Sequence, residues 1–101
     1  MFDVLSAAEN WFRNNRDSFI AEGYEVHFCR TTDNRPKHSC AINLRKDGVE
    51  SDVVLWDSGE AELGRTYADG AIREDHIEDV LSEQSLNRLL GKMLRNLGLG
   101  A

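Results

Sequence analysis

The sequence predicts an α+β domain: an N-terminal helix, a four- to five-stranded antiparallel meander sheet and a C-terminal helix, with the helices packed on one sheet face. Apolar residues recur at spacings of three and four near both ends of the chain, and at spacings of two in between. The alternating stretches are joined by Asp47-Gly48, Asp57-Ser58-Gly59 and Asp69-Gly70, turns too short for the crossover that parallel strands need. No repeat, linker or low-complexity stretch interrupts the 101 residues, so residues 1–101 read as a single domain.

The first helix is expected over residues 3–22, with Val4, Leu5, Ala8, Trp11, Phe12, Phe19 and Ile20 on its apolar stripe. Asp3 suits its N-cap and Gly23 its end. Asn14 to Asp17 mark the outer side. Tyr24 to Arg30 alternates, with Tyr24, Val26 and Phe28 facing one way and Glu25, His27 and Cys29 the other. Thr31 to Pro36 reads as a turn, because Asp33-Asn34 and the lone proline break any regular pattern. Lys37 to Lys46 alternates again, sending His38, Cys40, Ile42 and Leu44 to one side. Val49 to Asp57 and Glu60 to Ala68 follow, the latter with Leu63 and Tyr67 inward. Ala71 to Asp79 fits a short, highly charged edge strand, where charge discourages stray pairing. Ser82 caps a second helix whose stripe is Leu86, Leu89, Leu90, Met93, Leu94 and Leu97. Gly91 interrupts it at a cost of about 1 kcal/mol, and close packing on the sheet is one reason to keep it. Gly98 and Gly100 end the helix.

Apolar content of 41% with 30% charged residues fits a soluble folded domain rather than a disordered one. Met1-Phe-Asp-Val has neither the basic flank nor the long apolar core of a signal peptide, and no run is long enough to span a bilayer. The expected location is cytoplasmic, where Cys29 and Cys40 are expected to be reduced core residues. The charge is uneven. Residues 47–79 hold eleven acids against Arg65 and Arg73, a balance of −9 within a total of −6. A surface of that sign repels phosphate backbones, which argues against nucleic acid and suits a basic partner or simple solubility.

Motifs for catalysis are scarce. His27, His38 and His76 lie in no nucleophile motif, and no CxxC or CxxH spacing suggests zinc. Glu74, His76 and Glu78 share one face of a strand, but a strand alone sets no coordination geometry. Ser58 lacks the G-x-S-x-G context of a nucleophile elbow. The chain therefore reads as a non-enzyme, without cofactor or metal. Alternation puts Trp56 beside Glu50, Asp52 and Val54, on a polar face where it would suit a binding hot spot. A bulge would reverse the register and send it under a helix, so both placements stay open.

Read together, several landmarks resemble the TriTu family of bacterial immunity proteins: Trp11 and Asn15, Gly23-Tyr24 with Val26, Asn34-Arg35-Pro36-Lys37 with Ser39, Leu44, Trp56-Asp57-Ser58-Gly59-Glu60 with Leu63, then Gly70, His76 and Glu78. The likeness runs over roughly residues 4–80, and its most telling segments are Asn-x-Pro-Lys-x-Ser and Trp-x-Ser-Gly. The resemblance implies an antidote to an antibacterial ADP-ribosyltransferase toxin, delivered by a type VI secretion system, that modifies elongation factor Tu. It further implies a cytoplasmic monomer that forms a 1:1 heterodimer with the toxin domain and blocks its basic active-site cleft. The candidate partner-binding residues are Trp56 as anchor, Asp57, Ser58 and Glu60 at the hairpin tip, Glu62 beside them, and Asp69, Glu74 and Asp75 as an extension. The alternative is a small acidic secretion chaperone or adaptor for an effector, using the C-terminal leucine stripe to dimerise. A small enzyme built on His76 with Glu74 or Glu78 is a third reading.

Overall fold

The computed structural model describes residues 2–33 and 36–99. The chain runs α1 (Val4–Ala21), β1 (Glu25–Arg30), β2 (Ser39–Lys46), β3 (Val49–Trp56), β4 (Ala61–Thr66), β5 (Ile72–Ile77) and α2 (Glu83–Arg95). The five strands form one antiparallel sheet in the order β1-β2-β3-β4-β5. The expected α+β meander is thus observed, with the fifth strand present.

Local chemistry explains where the elements begin and end. Asp3 accepts from the Ser6 backbone N–H at 3.1 Å and from the Ser6 hydroxyl at 2.7 Å, capping α1. At the other end Tyr24 N–H reaches Phe19 O and Gly23 N–H reaches Ile20 O, closing the last turn in a Schellman pattern. Ser82 caps α2 in a reciprocal box with Ser85. Asp47 and Gly48 both take positive φ, +53° and +80°, as a two-residue type I′ hairpin demands. The next two hairpins use three-residue loops. Gly59 N–H bonds Trp56 O at 3.0 Å and Gly70 N–H bonds Tyr67 O at 2.9 Å. The strands stop a residue or two short of the alternation at several ends, because these turns claim Asp57, Glu60, Tyr67 and Ala71.

One face of the sheet carries Val26 and Phe28, then Cys40, Ile42 and Leu44, then Val53 and Leu55, then Ala61 and Leu63. Both helices cover that face, α1 over β1 and β2 and α2 over β3 and β4. Phe12 stacks on Phe28 with ring centroids 5.3 Å apart. Leu86, Leu89, Leu90 and Met93 of α2 are buried. Each contributes about 1.5–3 kcal/mol, which far outweighs the propensity cost of Gly91. Ser51 is the one buried polar side chain among the described residues, and its hydroxyl donates to Met93 O at 2.9 Å. That carbonyl lies in the last turn of α2, where no intrahelical donor remains for it. Arg30 ties α1 to the sheet edge through Glu9 at 3.0 Å.

Several expectations need correction. Ile20 is 44% exposed, because Phe19 takes the inward position and Ile20 sits a third of a turn further round. Gly91 does not approach the sheet. The nearest atom to a Cβ built there is Arg95 Nη1 at 3.3 Å. Cys40 is buried but Cys29 is exposed, so only one cysteine belongs to the core. Burial pushes the Cys40 thiol up to about 12, which leaves it inert. Cys29 pairs with Ala41 and Arg30 with Cys40, so the two thiols point to opposite faces and cannot bridge. Of the expected turn at Thr31 to Pro36, Asn34 and Arg35 lie outside the described residues, as does Gly100.

Candidate partner-binding surface

The face of the sheet away from the helices is set by the opposite parity of the same strands. Its cross-strand rows are Glu25, Arg45, Glu50, Thr66 and Ile72; His27, Asn43, Asp52, Gly64 and Glu74; and Cys29, Ala41, Val54, Glu62 and His76. Trp56 lies opposite Ser39, at the end of the same face. The direct alternation therefore holds through β3, and no bulge turns Trp56 inward. The indole is partly buried and takes no part in the hydrophobic core.

Four carboxylates gather here on three adjacent strands: Glu50 and Asp52 on β3, Glu62 on β4 and Glu74 on β5. Asp52 leans over Gly64, where an added Cβ would collide with its Oδ1. Burial first, then the charges of Glu50, Glu74 and Glu62, raise the Asp52 carboxyl above its ordinary value. Asn43 donates to Glu50. Among the described residues, Asp52, Glu62 and Glu74 have neither an ion-pair partner nor a hydrogen-bond donor. Arg45 stands across from Glu50 in the first row, so the open negative charge lies toward β4 and β5.

The hairpin tip behaves differently. Lys37 Nζ pairs with Glu60 Oε1 at 2.7 Å and rests over the Trp56 ring, 5.5 Å from its centroid. The Ser58 hydroxyl donates to Glu60 Oε1 at 3.4 Å. The hydrogen bond and charge of Lys37 hold the Glu60 carboxyl below its usual range. Asp57 Oδ2 accepts from His38 N–H at 3.2 Å. These side chains hold the tip in shape, with Trp56 and Glu60 beside the acidic rows.

The remaining candidates lie apart. Asp69 Oδ1 accepts from Ala71 N–H at 2.9 Å in the β4–β5 turn, at the opposite end of β4 from the tip. Asp75 pairs across from Leu63 and so belongs to the helix-side parity, where it meets Arg73 at 3.5 Å. Glu50 and Asp52, which the reading of the sequence left out of the candidate set, belong to the surface. Their signal was their shared parity with Trp56. His76 meets Glu78 at 3.6 Å, and the described residues contain no group of His, Cys, Asp or Glu arranged to hold a metal ion.

The helix-free face thus combines paired strands, carboxylates without partners among the described residues and an indole held under Lys37. The sequence pattern of a family described as Immunity protein TriTu matches residues 6–96. The chain belongs to the TriTu immunity protein family. No individually curated protein matches it. As a TriTu-family member it has a role in immunity, and an immunity protein engages a cognate toxin. The match runs past β5 and through α2, so the leucine-rich C-terminal helix lies within the family pattern. No helix among the described residues of this TriTu-family chain is long and apolar enough to cross a membrane.

Proposed function

We propose that this TriTu-family protein protects its producer by binding a secreted ADP-ribosyltransferase toxin domain, with the helix-free face of the sheet covering the toxin's active site. The observation that carries the reading is the set of carboxylates Asp52, Glu62 and Glu74, unpaired among the described residues and held on the sheet beside Trp56. A transferase of this kind must bind the phosphates of NAD, so its cleft presents cations. Carboxylates fixed on adjacent strands complement them through charge-assisted hydrogen bonds. Trp56 supplies a large ring with few rotamers as the apolar anchor. Asp57, Ser58 and Glu60 shape the tip around it, while Asp69 and Asp75 lie apart from this contact. The protein works as a non-catalytic 1:1 inhibitor in the cytoplasm, where a toxin acting on elongation factor Tu finds its target.

The secretion-chaperone alternative needs an apolar stripe free for dimerisation. Leu86, Leu89, Leu90 and Met93 are instead buried against the chain's own sheet, which favours the inhibitor. The test is inhibition of a purified toxin domain's NAD-dependent labelling of elongation factor Tu. The parent protein should abolish labelling at equimolar ratio. Glu62→Lys with Glu74→Lys should require at least about tenfold more inhibitor, the equivalent of about 1.4 kcal/mol, while the thermal midpoint stays near the parent's. Unchanged inhibition by the double variant would exclude this face as the docking surface. Failure of the parent to inhibit would exclude the toxin class.

A further inference from the structure

On the side of the sheet opposite the acidic face, where α1 and α2 both end, lies a concave pocket of about 510 Å³. Lys46, Arg65 and Arg95 line it together with Tyr24, Asn96 and Asp47. Three cations from β2, β4 and α2 thus converge against one carboxylate, in a chain whose net charge is −6.

None of these three cations has a carboxylate of its own among the described residues. Among the described residues, Arg65 and Arg95 make no ion pair. Arg65 Nε is shielded from solvent and meets no acceptor. Its guanidinium lies over the Tyr67 ring, 4.2 Å from the centroid, which fixes the plane of the fork. Lys46 is held in place by Glu22 O at 2.7 Å and by the Tyr24 ring at 5.1 Å. Capping of the α1 C-terminus accounts for Lys46, and proximity to the α2 C-terminus accounts in part for Arg95. Neither accounts for Arg65, which sits within β4 and points to the helix side beside buried Ser51. A shielded guanidinium nitrogen without an acceptor is costly, and an oxyanion in the pocket that Arg65 lines would offset part of that cost through its charge.

We infer that this pocket is a binding site for a small oxyanion, a phosphate or carboxylate group gripped by Arg65 and Arg95 with Lys46 adding charge. The site is independent of the toxin-binding reading, since it occupies the other side of the sheet and is tested on the isolated protein. The probes are inorganic phosphate and, separately, acetate, each titrated at constant ionic strength against chloride. The readout is the Arg65 Nε–Hε resonance, with thermal midpoint as a second measure, because a ligand specific for the folded state raises it. The expected result is a saturable shift of that resonance with phosphate, acetate or both, and the tighter of the two identifies the group. Arg95→Gln, on the exposed side of α2, should weaken binding about tenfold, the scale of one lost charge-assisted hydrogen bond. A shift that does not saturate, that chloride reproduces, or that Arg95→Gln leaves untouched would overturn the assignment.

Discussion

At the residue scale, two side chains on β3 show how one strand serves the core on one face and the proposed docking surface on the other. Ser51 points into the core and donates to Met93 O. Replacing it with alanine leaves that carbonyl without a donor, which costs about 1–3 kcal/mol. Urea unfolding of Ser51→Ala should show a lower midpoint with an unchanged slope. Asp52, the next residue, points outward and carries a carboxyl raised above its ordinary 3.8 by burial and by Glu50, Glu74 and Glu62. A raised acid holds its charge less readily folded than unfolded. Its penalty is therefore full above the folded value and fades as pH falls through that value toward 3.8. Asp52→Asn should be more stable than the parent at pH 7, with the difference closing as pH falls through the raised value. A constant difference across the titration would show that charge is not the cause. The same substitution removes a carboxylate from the proposed docking surface, so the stabilised variant should bind its toxin less tightly. Neither role could be read from one residue alone. Parity put Ser51 inward, but its partner is 42 positions away, and the crowding around Asp52 depends on strands that only the register brings together.

At the element scale, the turns were the most legible part of the chain. Asp47-Gly48 announces a type I′ hairpin because both central residues must take positive φ, and they do. Gly48→Ala forces a Cβ into that conformation at φ +80° and should lower stability by about 1 kcal/mol or more. Strand faces were legible for the same local reason: Cys40, Ile42 and Leu44 alternate with Ala41, Asn43 and Arg45 and are all buried. Helix α2 shows the limit. Its leucine stripe marked the buried side, yet Gly91 faces Arg95 rather than the sheet. Since a Cβ there meets only the far end of Arg95, Gly91→Ala should raise stability by up to about 1 kcal/mol. A decrease on urea unfolding would mean that the helix needs the space the added methyl group fills. Strand β5 was the hardest to read, because no helix covers it and charged residues occupy both its faces.

At the scale of the whole molecule, the acidic segment seen along the chain is sorted by the fold into separate populations. Glu62, Glu74 and Asp52 face outward together, Asp57 and Glu60 are spent on the hairpin tip, and Asp75 crosses to the other parity. Charge counting could locate the segment but not this partition, which depends on whether a given acid is odd or even within its strand. Lys46, Arg65 and Arg95 gather in one pocket on the helix side, away from the outward carboxylates. Such a charge distribution orients an approaching cationic partner before contact. The toxin complex should accordingly form faster than an unsteered pair, whose rate constants run at about 10⁵–10⁶ M⁻¹s⁻¹. Its association rate should fall steeply as salt rises, while dissociation changes little. Glu62→Lys with Glu74→Lys should flatten that salt dependence as well as lower the rate. Stopped-flow association at several ionic strengths separates the possibilities. A parent rate indifferent to salt would mean that the acidic face does no steering, and that shape around Trp56 alone selects the toxin.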